Sequence, residues 1–374
     1  MFKERMMKTA LCMCFCVLLL VGSASAQDSA TFDPQRGVWT LRYQDPETNQ
    51  WVEKTYAQRT AIEPTVRSTV RREGSQLRYE YLLRNGRGAR QNISVIHIWG
   101  IPTVYPVPNL PVVTASARSN TEEWTQQVWD QLTAKSAFEK QVVAAPTGWI
   151  GGLRVDEEGQ QTSIVFGPGL KDTDSYGVEP GRRQAGFVVR RPELPGVARM
   201  WLQGRIRAPW TLDLVPPTPY WQAKVEEIEA QDYLLVPVLA PVISIPEPYD
   251  GVELARRIRA HVQTWLTHGH SSADTLERLN RQFDALIPAL QHRNKVAARA
   301  AATALLREAF SQQPGMEHRD VEEDDDAHAA RALPKATAQR TNETAARTGL
   351  DRVAVRALVF DVMFLLTQLE KQPG

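Results

Sequence analysis

Between Pro146 and Gly196, residues that turn or break the backbone recur every 7 to 21 positions: Pro146-Thr147-Gly148-Trp149, Gly167-Pro168-Gly169, Glu179-Pro180-Gly181, Gly186-Phe187 and Leu194-Pro195-Gly196. Only short apolar runs fit between such signals, which leaves no room for long helices and reads as an antiparallel β-domain. Trp149 and Phe187 are then expected core residues, and Gly181 and Gly196 expected backbone turns.

The same reading extends from Gly37 to about Pro216. Leu77, Tyr79, Tyr81 and Leu83 alternate with polar residues, which is the period of a half-buried strand. The run ends in Asn85-Gly86-Arg87-Gly88, residues that tolerate positive φ, so Gln91 to Trp99 is expected to return as the second strand of a hairpin. An earlier strand places Val66, Ser68 and Val70 on one face and turns Arg67, Arg71 and Arg72 outward. Further short strands are expected at 162–166, 186–189 and 200–202. Many short strands without intervening amphipathic helices favour a two-sheet, Ig-like β-sandwich. The more polar insert from Thr121 to Lys140 carries Trp124, Val128 and Leu132 at roughly helical spacing and is expected to hold one short helix.

Eight prolines then fall between Pro209 and Pro248. They deny the segment internal ladder bonds and mark a linker over 217–250, with a short helix from Trp221 to Gln231. Beyond it the periodicity becomes helical. Val252, Ala255, Ile258, Val262 and Trp265 step by three or four, and Gly269 stands where a C′ residue ends a helix. Ser272 offers an N-cap for Leu276, Leu279, Phe283, Leu286 and Leu290, with a kink expected at Pro288. An alanine-rich helix follows over 296–312, its packing stripe carrying Ala301, Leu305 and Phe310. A polar acidic loop is expected over 313–348, and a closing helix from Leu350 to Leu369. That last helix is apolar enough to raise a transmembrane reading, but Arg352, Arg356 and Asp361 interrupt it, so a bundle helix is preferred. The fold class is thus α+β and multidomain, an antiparallel sandwich over 27–216 followed by an all-α bundle over 251–374.

The first 26 residues have the pattern of a Sec-type signal peptide. Lys3, Arg5 and Lys8 precede the apolar run Thr9 to Val21, and Ala24-Ser25-Ala26 supplies small residues before a cut between Ala26 and Gln27. A lipid anchor at Cys16 fits poorly, because Met13-Cys14-Phe15 is not a leucine-led lipobox. All three cysteines, Cys12, Cys14 and Cys16, lie inside this leader, so the exported chain has no disulfide and no thiolate metal site. Its stability must come from an apolar core, which 348 residues can supply. The formal charge, +1 for the full sequence, becomes −1 without the leader, and this near-neutral balance argues against nucleic acid as a partner. The expected location is the periplasm or the extracellular space, with no integral membrane segment in the mature chain.

The motifs that would carry chemistry are weak. His268-Gly269-His270 with Asp274 could offer two imidazoles and a carboxylate to a metal, but a third strong ligand would have to come from elsewhere. A helix–turn–helix corner built on Gly269 is preferred. The acidic run Glu322 to Asp326, between His318 and His328, lacks the alternating ligand order of an EF-hand. His318-Arg319-Asp320 and Gly86-x-Gly88 match fragments of kinase motifs without the rest. G-x-S-x-G, S-x-x-K and H-E-x-x-H do not occur, although a triad assembled from distant residues would leave no such trace. No catalytic residue, metal or cofactor is assigned.

Tryptophan is the compositional oddity: nine of ten fall before residue 250. Trp39, Trp99, Trp149 and Trp201 are expected as core anchors. Trp124 and Trp129, in a polar context, are the candidate exposed pair for stacking on a sugar. His97, among Ile93, Val95 and Trp99, is expected to be a half-buried strand histidine.

The order P-x-G-W at 146–149, P-G at 180–181, G-F at 186–187 and L-P-G at 194–196 resembles uncharacterised exported bacterial proteins with an N-terminal β-sandwich. The helical part, with Leu276-x-x-Leu279, Leu286 to Leu290, Ala297 to Phe310 and Leu350 to Leu369, resembles the small bundle of FIMAH/FIVAR-type modules. The long acidic insert before the last helix departs from that pattern. The resemblance implies an accessory, non-catalytic role with a protein or glycan partner, and brings no catalytic residues. The leading expectation is an exported binding or scaffold protein. Carbohydrate binding through exposed tryptophans is the alternative, and a metal-dependent hydrolase the remote one.

Overall fold

The computed structural model describes residues 27–102, 137–155, 161–168, 177–205, 215–311 and 350–371. The chain is a mixture of antiparallel sheets and helices. It forms two compact units, and neither is contiguous in sequence. One takes Met1–Gln58 with Ile206–Asp232, the other Arg59–Arg205 with Tyr233–Gly374. A division at the proline-rich linker, which the composition suggests, is not where the units part. The reason is that the helices after residue 250 bury their apolar faces in the same core as the strands before residue 205.

The first unit is a three-stranded antiparallel sheet, β1 (Ser29–Asp33), β2 (Val38–Gln44) and β3 (Trp51–Ala57), in that order, with helix α1 (Pro219–Ala230). Thr218 caps α1 by accepting from the Trp221 N–H at 3.4 Å, and Pro219 sits in the first turn, where its missing N–H costs nothing. Trp221 is fully buried among Trp39, Leu41, Tyr43, Tyr56 and Ile228. Its indole N–H donates to Asp28 at 2.9 Å, and the Tyr56 hydroxyl donates to the Asp232 carboxylate. Trp39 is thus a core anchor, as expected, but of this small unit.

The second unit holds two antiparallel sheets. The four-stranded one is formed by β4 (Pro64–Glu73), β5 (Gln76–Asn85), β10 (Arg183–Arg191) and β7 (Val143–Ala144), ordered β4-β5-β10-β7. The five-stranded one is ordered β12-β11-β6-β9-β8, from β12 (Leu234–Ile243), β11 (Leu194–Gly204), β6 (Ile93–Pro102), β9 (Gln161–Pro168) and β8 (Trp149–Val155). Leu77, Tyr79, Tyr81 and Leu83 point inward from β5 as their alternation predicts, and share one core with Ile96, Ile98, Phe166, Met200 and Leu202. Phe187 is fully buried, and Trp149 packs edge-on against it with centroids 4.9 Å apart.

The expected hairpin across Asn85-Gly86 does not form. β5 pairs with β4 through a turn at Gly74 (φ +64°), whereas β6 pairs with β11 and β9 in the other sheet. Asn85 is buried at the crossing between sheets. It accepts from the Glu63 N–H and donates to the carbonyls of Gln91 and Val178. A Cβ on Gly86 would lie 2.2 Å from a Glu63 carboxylate oxygen, so this glycine serves a close approach. Gly196 is not a turn residue. Gly181 has the positive φ of a turn (+76°), but Gly196 lies within β11, where a Cβ would meet His261 Nε2 at 2.6 Å and Val242 Cβ at 2.8 Å.

Pro237 and Pro241, expected to deny ladder bonds, lie in β12, which pairs along its length with β11. β12 is an edge strand, the position where a sheet tolerates proline. The four-stranded sheet also reaches β12 at Leu239: the Leu239 N–H donates to the Ser68 hydroxyl at 3.0 Å, and the Tyr81 hydroxyl donates to the Leu239 carbonyl at 3.0 Å.

Among the described residues four long helices follow β12 in this unit: α2 (Gly251–Thr267), α3 (Ala273–Gln291), α4 (Lys295–Ser311) and α5 (Arg352–Lys371). Asp250 caps α2, Ser272 caps α3, and Gly269 ends α2 with φ +73°. Leu254, Ile258, Val262, Trp265, Leu279, Phe283, Leu305, Leu358 and Leu365 join the core of the two sheets. No described helix is long and apolar enough to cross a membrane.

Candidate functional site

Trp124 and Trp129, the candidate sugar-stacking pair, lie outside the described residues, as do Ala26 and the acidic run over 322–326. Of the helix expected over 121–140, only its last turn is described, helical over 137–142. Gln27 is exposed.

Most of the described tryptophans pack against another aromatic ring. On the outward face of the five-stranded sheet Trp99 and Trp201 are 5.0 Å apart, and Tyr233 stacks on Trp201 at 4.0 Å with the rings nearly parallel. Trp99 and Trp201 are half-buried here, outside the core that their composition suggested. His97 stacks beside them, half-buried as expected, and burial together with the charge of Arg154 holds its pKa below the ordinary histidine range.

The histidine corner at the end of α2 is assembled differently from its sequence pattern. His270 Nδ1 lies 3.3 Å from Asp351, at the start of α5, while Asp274 takes no part. The His268 and His270 rings are 6.3 Å apart. His261, a residue the sequence did not single out, accepts from the Val197 N–H at 2.9 Å. Burial, then the charges of His268 and His270, push its pKa down to about 4, so the ring is neutral and acts as an acceptor. Among the described residues no three histidine, cysteine or carboxylate side chains converge as a metal site.

The second unit has a cleft of about 340 Å³ beside the closing helix. α5 is apolar on two sides. Ala354, Val355, Leu358, Val362 and Leu365 face the core, while Arg356, Phe360, Met363, Phe364 and Thr367, three or four residues apart, line the cleft. Val70 and Arg72 of β4, Leu77 of β5, Leu239 of β12 and Phe310 near the end of α4 form the other walls. The double apolar surface explains why the sequence of this helix approaches that of a membrane span. Arg72 also departs from its expected outward place. By the period of the strand it shares a face with Val66, Ser68 and Val70, and its guanidinium lies 5.7 Å from the centre of the Phe364 ring. The outward arginines are different: Arg71 and Arg78 pair with Glu80, and Arg190 with Glu73. Arg72 forms no ion pair with a described residue. The sequence signal that could have found the cleft is the second stripe on α5, at 356, 360, 363/364 and 367.

On the buried side of α5, Asp361 is the anomaly. It is 2% exposed, one carboxylate oxygen has no hydrogen-bond partner, and burial drives its pKa well above the usual carboxylate range.

No protein-family model matches the sequence, and no curated protein matches it. One solved structure is similar in part, that of an uncharacterized protein from Nocardia farcinica described as having an immunoglobulin-like fold. It is 10% identical, the match covers 45% of this chain and 95% of that one, and the TM-score is 0.20, which carries no argument about this chain.

Proposed function

We propose that this is an exported, non-catalytic binding protein, an Ig-like sandwich followed by a helical bundle, whose ligand seat is the cleft beside α5. The observation that carries the binding reading is the cleft itself. Its volume of about 340 Å³ falls within the ~300–1,000 Å³ of small-molecule sites, and its walls are apolar rings with a few polar groups at the edge. Such walls hold a ligand by burial, and no nucleophile–base pair is needed. The Ig-like class is supported by two antiparallel sheets that share one core, and the likeness to FIMAH/FIVAR-type modules by the sequence pattern alone. Export is supported by the leader pattern before Gln27.

Two measurements test this. The fluorescent probe anilinonaphthalene sulfonate, apolar rings carrying one anionic group, should bind the native chain saturably, and Met363→Trp, which fills the mouth from a residue 45% exposed, should abolish the signal. Equal binding by the variant would remove the cleft as the seat. Sequencing the N-terminus of protein recovered from the exporting cell should begin at Gln27, and an unprocessed chain would refute export.

The second reading is carbohydrate binding by exposed tryptophans. Its structural support is Trp51, 38% exposed with the Arg42 guanidinium 5.3 Å from its ring centre, to which the sequence adds Trp124 and Trp129. A glycan array probed with the mature chain, and with Trp124→Ala and Trp129→Ala, decides it: no signal removes the reading.

A further inference from the structure

We infer that the cleft takes a single-chain amphiphile, an acyl chain ending in a carboxylate, with Arg72 holding the head. The inference rests on the cleft being the ligand seat. Its floor and walls, Leu77, Leu239, Phe310, Phe360, Met363 and Phe364, offer dispersion contacts to an alkyl chain and no directional polar partner. Among the described residues no carboxylate lines it, whereas Arg72 does. The charge that Arg72 brings to the described lining is positive, and its complement is an anion.

Arg72 supplies the specific contact. Arg71 and Arg78 of the same β4–β5 hairpin pair with Glu80 on the outward face. Arg72 points the other way, rests on Phe364 at 5.7 Å, and keeps its charge unmatched by any described carboxylate. A guanidinium lying along an aromatic wall retains the planar fork that grips a carboxylate with two parallel hydrogen bonds. The volume sits at the low end for small-molecule sites, which suits one chain and excludes a two-chain lipid from full burial.

The test is calorimetric titration of the full native chain with dodecanoate and, as a neutral control, dodecanol. Dodecanoate should bind one to one, about tenfold tighter than the alcohol, and this advantage should shrink as salt rises from about 50 to about 500 mM. Arg72→Gln should erase the advantage and leave dodecanol unchanged, Arg72→Lys should restore part of it, and melting curves of both variants should match the native chain. Equal affinity for acid and alcohol in the native chain overturns the anionic head, and an advantage that survives Arg72→Gln overturns the role of Arg72. If neither amphiphile binds while the fluorescent probe still does so in a Met363-dependent manner, the acyl class is wrong and the seat stands. If the probe fails as well, the seat itself falls.

Discussion

His261→Gln should make the protein less sensitive to acid, by an amount the structure sets. In the folded chain the imidazole is an acceptor for the Val197 N–H at 2.9 Å and meets Trp265 edge-on at 5.9 Å. Protonation would set two N–H groups against each other and bury a charge. Burial first, and the neighbouring His268 and His270 next, lower the pKa from 6.5 to about 4. In the unfolded chain the same ring titrates near its ordinary value. Between those two values the unfolded state binds a proton that the folded state refuses, so stability falls as the pH falls through this window. Above the unfolded value the contribution is complete and flat. The full shift corresponds to about 3 kcal/mol lost at pH 4 relative to pH 7. Glutamine places a side-chain oxygen close to the position of Nε2, keeps the acceptor and does not titrate. Urea unfolding of both chains at several pH values should show the variant gaining on the native protein by about 3 kcal/mol from pH 7 to pH 4. A difference between them that is independent of pH would falsify the assignment of His261 as a neutral acceptor.

Three further outcomes follow from single contacts. Gly196→Ala should cost about 1–3 kcal/mol, because its Cβ meets His261 and Val242 below 3.0 Å, and the loss should be non-additive with His261→Gln; additive losses in urea melts would sink the shared contact. Asp361→Asn should raise the melting temperature. The buried carboxyl holds its proton in the folded state, so its contribution is present at low pH and lost as pH rises from the unfolded value near 3.9 towards the raised folded one. The gain, about 1–3 kcal/mol at pH 8, should therefore vanish near pH 4, and a gain of equal size at both would contradict the burial argument. Tyr81→Phe leaves the Leu239 carbonyl without its side-chain donor and should cost about 1–3 kcal/mol, read as a lower urea midpoint at unchanged slope.

What the sequence made legible was what local periodicity encodes. The stripe of α2, the Ser272 cap and the glycine at 269 are fixed by neighbours three or four residues away, and the alternation of β5 by neighbours two away. What it concealed depends on distant partners. Asn85-Gly86 has the composition of a tight hairpin, yet its glycine yields to Glu63 and its asparagine bonds Gln91 and Val178. Gly196 reads as a turn because leucine and proline precede it, but its constraint is a histidine 65 positions away in the chain. Charge alone sets Arg72 outward with Arg71, whereas strand parity separates them. The cleft was half visible: the excess apolar surface of α5 was in the sequence, but the walls facing it come from three strands and another helix.

The discontinuity of the two compact units bears on the order in which the chain can acquire structure. The strands of the first unit lie before Gln58, and their covering helix, with Trp221, ends at Ala230. At ~5–20 residues per second, translation needs on the order of ten to thirty seconds to deliver that helix after the strands have emerged. Until then Trp39, Leu41, Tyr43 and Tyr56 have no partner from α1, so the segment made first completes its core late. A nascent chain halted before Pro219 would therefore present an uncovered three-stranded sheet, the state in which a holdase would find its binding site.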